Sequence, residues 1–501
     1  MSLSIFLLWL VSIPLCIYAA APPPTGFFID CGASKEWNDD SIKWITDDGF
    51  IHVGEKKTID KPDLLPSLST LRFFPDKSAR KYCYTFPVTK GGKYLVRTMY
   101  YYGGFDGGKE PPVFDQIIDG SKWSTVDTKA HYAKGLTSFY EVVVSAMGKT
   151  LSICLGRNEQ TTSSPFISAL QLLSLRNSMY NATDFTQYAL GSVARGTFGD
   201  DKSISYPDDP FNRYWEAFTV AENPVVESHY NLSSEDFWDT PPASVFTKSF
   251  TASRGKPLQV DWPPVPLPNA SYYIALYFQD NRTPSPYSWR VFNVTINGND
   301  FYKDLNVSAD GVSVYSANWP LSGQTKIVLT PENDSPVGPV ISAAEIYQVF
   351  RLGGRTLTRD VIAMESLARS FDNPPVDWTG DPCLPENHSW TGVTCSGGKL
   401  ARVVSLNLTH LGISGYISQS ISNLTAISSI LLDGNKLEGE IPDMSSLLQL
   451  VTLNLSYNQL TGKVPESLGH LEHLRELYLH DNKLEGPIPE SLKKKFTDLQ
   501  L

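Results

Sequence analysis

The sequence lacks a long hydrophobic run beyond its first residues. Residues 2–18 are largely apolar and uncharged and are followed by Ala19, Ala20 and Ala21, which is typical of a cleaved secretory signal peptide. A membrane-spanning helix needs about 20 consecutive apolar residues, and no later stretch reaches that length. We therefore expect a signal peptide over residues 1–21 and a secreted, extracellular mature chain without a membrane anchor of its own.

Catalytic and metal-binding signatures are also missing. The sequence contains no GxSxG, HExxH, CxxC, P-loop or Gly-rich dinucleotide motif, and its eight histidines show no metal-ligand spacing. Acidic pairs such as Asp39-Asp40 could be imagined as a glycosidase dyad, but neighbouring carboxylates are common in turns. We expect no catalytic residue, no metal and no cofactor, and rank a glycan-active enzyme last among the hypotheses.

An excess of positive charge is absent as well. The chain has 42 lysines and arginines against 53 aspartates and glutamates, a net charge of −11. Residues 22–175 carry a net charge of +1, whereas residues 176–350 carry −8. Nucleic acid is therefore not expected as a partner, whereas a basic peptide would be attracted to residues 176–350.

An internal repeat defines the middle of the chain. VFDQIIDG at residues 113–120 recurs as VFNVTING at residues 291–298, and YLVRTMY precedes YYIALYF by 178 residues. PFISALQLL from Pro165 likewise matches PVISAAEIY from Pro339. These matches predict two homologous β-sandwich domains, roughly residues 22–175 and 184–350, with hairpin turns at Asp119-Gly120 and Asn297-Gly298. We call them the first and the second copy.

These same stretches carry a family resemblance. FFIDCG, RFFPDKSARKYCYTFPV, KYLVRTMYYYGGFDGG and PFISALQL, with YPDDPFNRYW opening the second copy, resemble the tandem malectin-like domains of plant surface receptors. The resemblance implies jelly-roll sandwiches related to animal malectin, a lectin for glucose disaccharides. It also implies carbohydrate binding, for which the sequence must supply suitable residues.

The candidate sugar site is the stretch YYYGGFD. Lectin sites combine aromatic faces with carboxylates, and this stretch with its neighbouring strand supplies both types. The alternative, which we favour, is that alternating aromatics pack a sandwich core and GGFDGG forms a turn. The candidate ligand-binding residues are Tyr100, Tyr101, Tyr102, Phe105, Asp106 and Asp115.

The cysteines predict disulfides in a secreted chain. Residues 351–400 contain Cys383 and Cys395, which we expect to bond and to staple a cap on a repeat array. Of the remaining Cys31, Cys83 and Cys154 we favour the pair Cys83 and Cys154, although the sequence alone leaves the connectivity open. The odd thiol is then either buried or available to a partner.

The junction before this cap has a resemblance of its own. The Gly380-Asp381-Pro382-Cys383 stretch is similar to the junction between malectin-like and repeat regions in plant symbiosis-type receptor kinases. That resemblance implies a controlled joint or a cleavage-sensitive region. The alternative, which we favour, is a cap and nothing more.

Residues 401–496 follow a leucine-rich repeat pattern. Glycines recur at spacings of 24, 23 and 24 (Gly415, Gly439, Gly462 and Gly486), and asparagines Asn435, Asn458 and Asn482 occupy the ladder position, where the first repeat has Leu411. The pattern predicts four repeats in a short α/β solenoid, with an improvised cap or a shortened chain after Phe496 and a tail at 497–501. The predicted concave-face residues are Asn407, Leu431, Asn454 and Tyr478.

Asn-X-Ser/Thr acceptors support an extracellular location. We predict N-glycosylation at ten of them: Asn181, Asn231, Asn269, Asn281, Asn293, Asn306, Asn387, Asn407, Asn423 and Asn454. Asn333 also matches, but Pro336 follows its acceptor serine and makes it the weakest.

Together these features predict a mainly β protein, with two tandem malectin-like jelly-roll sandwiches followed by a leucine-rich-repeat solenoid. It resembles the ectodomain of malectin-like receptor kinases and kinase-lacking receptor-like proteins. We expect a protein of the apoplast or cell wall, or one held at the plasma-membrane surface by a partner. It would bind a cell-wall glycan or a secreted peptide and would dock a receptor kinase or co-receptor through its repeats. The rival hypothesis is a structural wall protein that binds only protein.

Overall fold

The computed structural model describes residues 23–39, 41–228, 232–235, 237–282 and 289–496. The predicted signal peptide, the 497–501 tail and the acceptor Asn231 lie outside the described residues. The described chain is mainly β, as the sequence predicts. No helix among the described residues is long and apolar enough to cross a membrane.

The first copy is built from short strands. They are β1 Gly26–Asp30, β2 Trp37–Asp39, β3 Ile42–Thr46, β4 Glu55–Thr58, β5 Thr70–Phe73, β6 Lys81–Pro87, β7 Lys93–Tyr100, β8 Val113–Ile118, β9 Ser121–Asp127, β10 Ser138–Ser145, β11 Thr150–Gly156, β12 Phe166–Ile167 and β13 Ala169–Leu175, with helix α1 at Lys129–Ala133.

The second copy repeats this arrangement. Its strands are β14 Tyr188–Phe198, β15 Glu216–Phe218, β16 Val225–Glu227, β17 Lys248–Thr251, β18 Leu258–Asp261, β19 Leu267–Phe278, β20 Val291–Ile296, β21 Asn299–Asn306, β22 Val312–Gly323, β23 Lys326–Pro331, β24 Val340–Ile341 and β25 Ala343–Arg351.

The two copies share one large sheet. Within the described residues this sheet has eleven strands, in the order β2-β3-β1-β13-β7-β10-β14-β25-β19-β22, with β15 beside β14. Strands β10 and β14 join the copies in antiparallel register, with Val142 opposite Gly191 and Val143 opposite Leu190. The copies are therefore fused through backbone hydrogen bonds rather than linked by a flexible segment.

Smaller sheets complete each sandwich in matching order. The first copy packs β6-β11-β8-β9 and β12-β5-β4 against the shared sheet, and the second packs β18-β23-β20-β21 and β16-β17-β24. The hairpins β8-β9 and β20-β21 turn at Asp119-Gly120 and Asn297-Gly298, where all four residues have positive φ. This geometry is the type I′ turn that Asp-Gly and Asn-Gly favour, so both predicted turns are confirmed.

Successive side chains of the shared sheet enter different cores. In β7, Val96 faces the core of the first sandwich, whereas Leu95 faces a second core on the opposite side of the sheet. That second core includes residues of both copies, such as Phe28 and Tyr273. The period-two alternation of a strand explains how one strand serves two cores.

A buried ionic network also spans the copies. Arg195 of β14 contacts Glu141 of the first copy at 2.9 Å and Glu345 of the second copy at 2.7 Å. Arg97 binds the other Glu141 oxygen at 2.6 Å. Burial raises the pKa of Glu141, but Arg195 and Arg97 outweigh it and hold the pKa below its ordinary value. Separating the copies would leave these buried charges without their partners. The network therefore stabilises the association of the two copies.

The remaining elements form residues 351–400, which we call the connector, and the repeats at residues 401–496. They are β26 Arg355–Thr356, α2 Thr358–Ser370, β27 Val393–Cys395, β28 Leu400–Ala401, β29 Val403–Asn407, β30 Ser414–Tyr416, β31 Ser429–Leu431, β32 Lys436–Glu438, β33 Thr452–Asn454, β34 Glu476–Tyr478 and α3 Glu490–Lys495, with 3-10 helices at Pro66–Leu68, Ala243–Phe246, Glu386–His388, Gln419–Asn423 and Glu466–His470 along the chain. Strands β29, β31, β33 and β34 lie parallel in the solenoid sheet.

Asparagine side chains connect the repeat turns as predicted. Asn435 Nδ2 donates to the carbonyls of Leu408 and Leu432, and its Oδ1 accepts from the Ile413 N–H. Asn458 and Asn482 form the same contacts one and two turns later. At the last repeat, Leu492 of α3 is buried in the solenoid core and Phe496 packs beside it.

Candidate functional site

The first tyrosine of the candidate sugar site lies inside the sandwich. Tyr100 is 1% exposed at the end of β7, and its ring contacts Phe114 and Phe166 edge-on at 5.6 and 5.8 Å. Its hydroxyl donates to Gln116 at 2.9 Å, and burial raises its pKa. The structure therefore contradicts the hypothesis that Tyr100 offers a stacking face to a sugar, because a side chain this deeply buried presents no ring face to a ligand.

Tyr102 has an equally structural position. Its ring is 2% exposed and packs against Phe105 at 5.4 Å and Tyr132 at 4.8 Å. Its hydroxyl donates to Asp106 Oδ1, which closes the GGFDGG turn. The hypothesis that Tyr102 stacks on a sugar is therefore also contradicted, because its ring is buried. The alternative, that GGFDGG forms a turn, agrees with the geometry.

The remaining candidates do not converge on one cavity. Tyr101 is 7% exposed, and its hydroxyl accepts from Lys61 Nζ at 2.8 Å. Asp115, on β8 in the opposite layer, accepts from Thr125 at 2.9 Å and Asn158 at 2.8 Å and is buried. Phe105 is half-buried and Asp106 is exposed, so only these two keep an accessible surface, and a ligand role for them stays a prediction.

Both predicted disulfides are present. Cys83 and Cys154 face each other across β6 and β11, and Cys383 bonds to Cys395 in the connector. Cys31 is the free thiol among the described cysteines, and it is fully buried. The odd thiol is therefore buried and not available to a partner.

The connector docks on the first copy, although it follows the second copy in sequence. Lys81 Nζ donates to the carbonyls of Asp381 and Leu384 at 2.5 and 2.8 Å. Burial lowers the pKa of Lys81 to about 8. On the same layer, Arg80 N donates to Asp377 at 3.1 Å. These contacts could not be predicted from local sequence patterns, because they join residues about 300 positions apart.

The predicted junction sequence contacts a disulfide directly. Gly380 has a φ of 70°, and a Cβ placed there would lie 2.8 Å from Cys83 Sγ and 3.2 Å from Cys154 Sγ. His388 hydrogen-bonds the Arg157 carbonyl at 2.8 Å on the same layer. Glycine is therefore needed at this point of close approach, and the junction is a docked surface in the structure. Whether it also acts as a cleavage-sensitive joint stays a prediction.

The concave-face residues form one register row of the solenoid sheet. Asn407 pairs with Leu431, Leu431 with Asn454 and Asn454 with Tyr478. Tyr478 is 43% exposed, whereas Leu431 and Asn454 are half-buried. The row forms a short surface whose last member is a large exposed ring.

Two residues that the sequence reasoning missed extend this surface. Tyr457 is 56% exposed, and its ring meets His480 edge-on at 5.1 Å. His480 also lies 6.5 Å from the ring of Tyr478. We call Tyr457, Tyr478 and His480 the aromatic patch. The signal that could have found it is the repeat itself, since Tyr457 directly precedes the ladder Asn458 and His480 lies two positions before the ladder Asn482.

The predicted glycosylation acceptors differ in exposure. Asn293 is half-buried, donates to Glu332 at 2.6 Å and accepts from Asp304 N at 2.8 Å, so a glycan there would displace a contact. Asn281 and Asn454 are also half-buried. The exposed acceptors are Asn181, Asn269, Asn306, Asn387, Asn407 and Asn423. Glycosylation itself stays a prediction at every position.

The structure also shows where the acidic and metal-ligating side chains of the described residues lie. Among the described residues, no group of three or more His, Cys, Asp or Glu is arranged to hold a metal ion. Asp209, from one of the acidic pairs in the chain, is fully buried in an ion pair with Arg213 at 2.8 Å.

Comparison with known proteins identifies the two parts of the chain. The malectin-like domain family matches residues 29–349, and a leucine rich repeat family matches residues 444–484. Two Arabidopsis thaliana proteins are similar over most of the chain. A leucine-rich repeat receptor-like serine/threonine-protein kinase is 30% identical over 80% of this chain and 47% of its own length. A probable leucine-rich repeat receptor-like protein kinase is 29% identical over 82% of this chain and 47% of its own length. This chain thus spans about half the length of the curated relatives it matches.

Solved structures share the fold of the two copies. The ANX2 ectodomain from Arabidopsis thaliana superposes with a TM-score of 0.53 at 16% identity, over 65% of this chain and 96% of that chain. A structure of the plant peptide RALF23 in complex with FER and LLG2 gives a TM-score of 0.55 at 17% identity, over 66% of this chain and 96% of that chain. At these identities the likeness concerns the fold alone.

Proposed function

We propose that this chain, which belongs to the malectin-like domain family, is the extracellular ligand-binding region of a receptor-like protein. The malectin-like pair and the connector bind a secreted ligand, and the concave face of the repeats docks a receptor kinase or co-receptor. The names of its relatives, which are leucine-rich repeat receptor kinases, support this role.

The docking of the connector on the first copy carries the proposal. Lys81, Gly380 and His388 join the repeats to a sandwich that is itself fused to the second copy through β10 and β14. A ligand on the sandwiches and a partner on the repeats would therefore be held in a constant relative orientation. That property suits an ectodomain that assembles two molecules on one surface.

A peptide is the ligand class that we favour over a stacked sugar. The tyrosines that would have formed a sugar platform, Tyr100 and Tyr102, have their rings in the core. The RALF23 complex is an example of a protein of this fold bound to a peptide together with a partner. A cell-wall glycan remains the competing ligand class for the experiment.

The aromatic patch is the proposed partner contact. Exposed tyrosines are enriched in the energetically dominant part of protein interfaces, and a patch at one end of a four-repeat solenoid is too small to enclose a long ligand. Tyr478 and Tyr457 would therefore contact a partner protein.

The test is surface plasmon resonance of the secreted protein against a panel of purified plant receptor-kinase ectodomains, with and without a secreted-peptide fraction. The double variant Tyr457→Ala/Tyr478→Ala should weaken partner binding by roughly tenfold or more. The matched control is Tyr302→Ala, another exposed tyrosine, which lies on the second copy.

Two results would contradict the proposal. Partner binding that the double variant leaves unchanged would exclude the repeats as the docking surface. Failure of every ectodomain to bind, together with binding to structural wall proteins, would favour the structural protein of the rival hypothesis.

A further inference from the structure

A cleft opens where the first copy, the start of the second copy and the connector meet. Its volume is about 1130 Å³, and it is lined on one side by the turn before β11 and the β8-β9 hairpin. Its other side is formed by residues 351–355 and by the first turns of α2. Side chains of both copies and of the connector therefore build one concavity.

Basic side chains surround this cleft. Lys149, Arg351, Arg355 and Lys399 line it and are exposed. None of these four side chains forms an ion pair with any residue that the structure describes. The cleft thus contains four exposed cations without an ion-pair partner among the described residues, in a chain whose net charge is −11.

The acidic residues of the cleft are already engaged. Asp381 accepts hydrogen bonds from Thr356 and from the Cys383 and Leu384 N–H groups, and Glu365 pairs with Arg369 at 3.8 Å. Asp119 accepts from Ser152 at 2.8 Å, and burial raises its pKa to about 6. Because hydrogen bonds or an ion pair already occupy these carboxylates, the four exposed cations are the charged groups open to a ligand, and they favour an anionic one.

Apolar groups lie beside these charges. Met147 is 38% exposed and Ile362 is 53% exposed, and both line the cleft. None of the described residues that line the cleft is aromatic, although sugar sites ordinarily use aromatic faces. Basic side chains beside aliphatic ones match a ligand that combines carboxylates with apolar side chains, which is a property of peptides and not of polyuronates.

We propose that this cleft binds an acidic peptide segment. Its carboxylates pair with Arg355 and Lys399, and one of its aliphatic side chains covers Met147 or Ile362. The guanidinium fork of Arg355 can hold a carboxylate through two hydrogen bonds, which gives geometric selectivity in addition to attraction. This inference rests on the proposed function, because it names the peptide class and its place on the ectodomain.

The probe is an array of synthetic nonapeptides in which two glutamates and one leucine occupy every combination of positions, with glutamine counterparts of each peptide. Hits are titrated by fluorescence anisotropy against the wild-type protein and Arg355→Gln/Lys399→Gln. The matched control is Arg254→Gln/Lys256→Gln, which removes the same charges from an exposed turn of the second copy. Thermal unfolding checks that each variant is folded.

The expected result is binding of glutamate peptides but not of their glutamine counterparts. Affinity should fall about tenfold or more in the cleft variant and stay unchanged in the control. Three results would overturn the inference: no array peptide binds the wild type, binding survives in the cleft variant, or an oligogalacturonate binds in its place and is lost in the cleft variant. Partner-ectodomain binding measured on the same variants separates this failure from failure of the proposed function, because the aromatic patch is intact in all of them.

Discussion

The two malectin-like copies have the same strand order but differ in what covers their outer layer. Strand β8 of the first copy, VFDQII, is buried at all six positions. Its counterpart β20, VFNVTI, alternates between half-buried and buried positions. Alternation is expected when one face of a sheet meets solvent, and continuous burial when both faces are covered. The outer layer of the first copy has become a docking surface for the connector, whereas that of the second copy has not.

Equivalent positions illustrate this divergence. Asp115 in β8 corresponds to Asn293 in β20, and only the aspartate is fully buried, in contact with Lys122 at 2.9 Å. The Cys83–Cys154 disulfide lies in the corresponding layer of the first copy, and the described second copy has no cysteine. A repeat in sequence therefore predicts a common fold but not a common surface.

The largest expected effect comes from the disulfide that distinguishes the copies. The variant Cys83→Ala/Cys154→Ala opens a bond between residues 71 positions apart, which should lower the free energy of unfolding by about 4 kcal/mol. It also removes the surface on which Gly380 packs. Urea unfolding measures the first effect, and limited proteolysis of the junction measures the second. An unchanged junction would show that connector docking does not depend on this disulfide.

A pH dependence is expected from Asp239, a buried carboxyl of the second copy that accepts hydrogen bonds from the Tyr180 N–H and the Tyr273 hydroxyl. Burial raises the pKa of Asp239 to about 7 from an unfolded value of 3.8. The folded state therefore binds more protons between about pH 4 and pH 7, so the free energy of unfolding falls as pH rises through this window, by up to about 4 kcal/mol.

The variant Asp239→Asn should flatten this slope, because an amide does not titrate. The control is Asp184→Asn, an exposed carboxyl whose pKa is lowered by hydrogen bonds from Thr186 and Gln187. This variant should leave the fall in unfolding free energy between pH 4 and pH 7 unchanged. Urea unfolding across the pH series provides the measurement. If the free energy of unfolding of Asp239→Asn fell with pH as steeply as that of the wild type, Asp239 would not be the group responsible.

A smaller effect is expected from the lysine that holds the connector. Lys81→Met leaves the Asp381 and Leu384 carbonyls without their donor, which should cost about 2 kcal/mol and increase proteolysis of the junction. The control Lys326→Met changes an exposed lysine on a strand of the second copy and should cost less than about 0.5 kcal/mol. If both variants lost the same free energy of unfolding, the outer layer of the first copy would not owe stability to the docked connector.

The smallest effect is expected from a variant that makes the first copy resemble the second at one core position. Tyr100 corresponds to Phe278, which is also fully buried, so Tyr100→Phe should keep the packing and lose only the hydrogen bond to Gln116. We expect a loss of about 1 kcal/mol in urea unfolding and no change in ligand affinity. A folded Tyr100→Phe protein that had lost ligand binding would restore this tyrosine as a ligand contact.

Local patterns explain which features could be predicted from sequence. Leu453 and Leu455 are buried, as their place in the repeat predicts, because leucine-rich repeats encode their geometry within about 24 residues. The Asp119-Gly120 and Asn297-Gly298 turns follow from the positive φ that these residue types tolerate. The disulfides follow from a small number of cysteines in a chain of secreted type.

The sequence by itself determined the order of the parts, namely two homologous sandwiches, a disulfide-stapled cap and a repeat array, because each is encoded by residues close together in the chain. Only the tertiary structure decided that β10 and β14 join the copies, that the connector docks on the first copy, and that Tyr100 enters a core. The physical reason is that these features depend on contacts between surfaces far apart in sequence. Complementarity between such surfaces leaves no periodic trace in either segment alone.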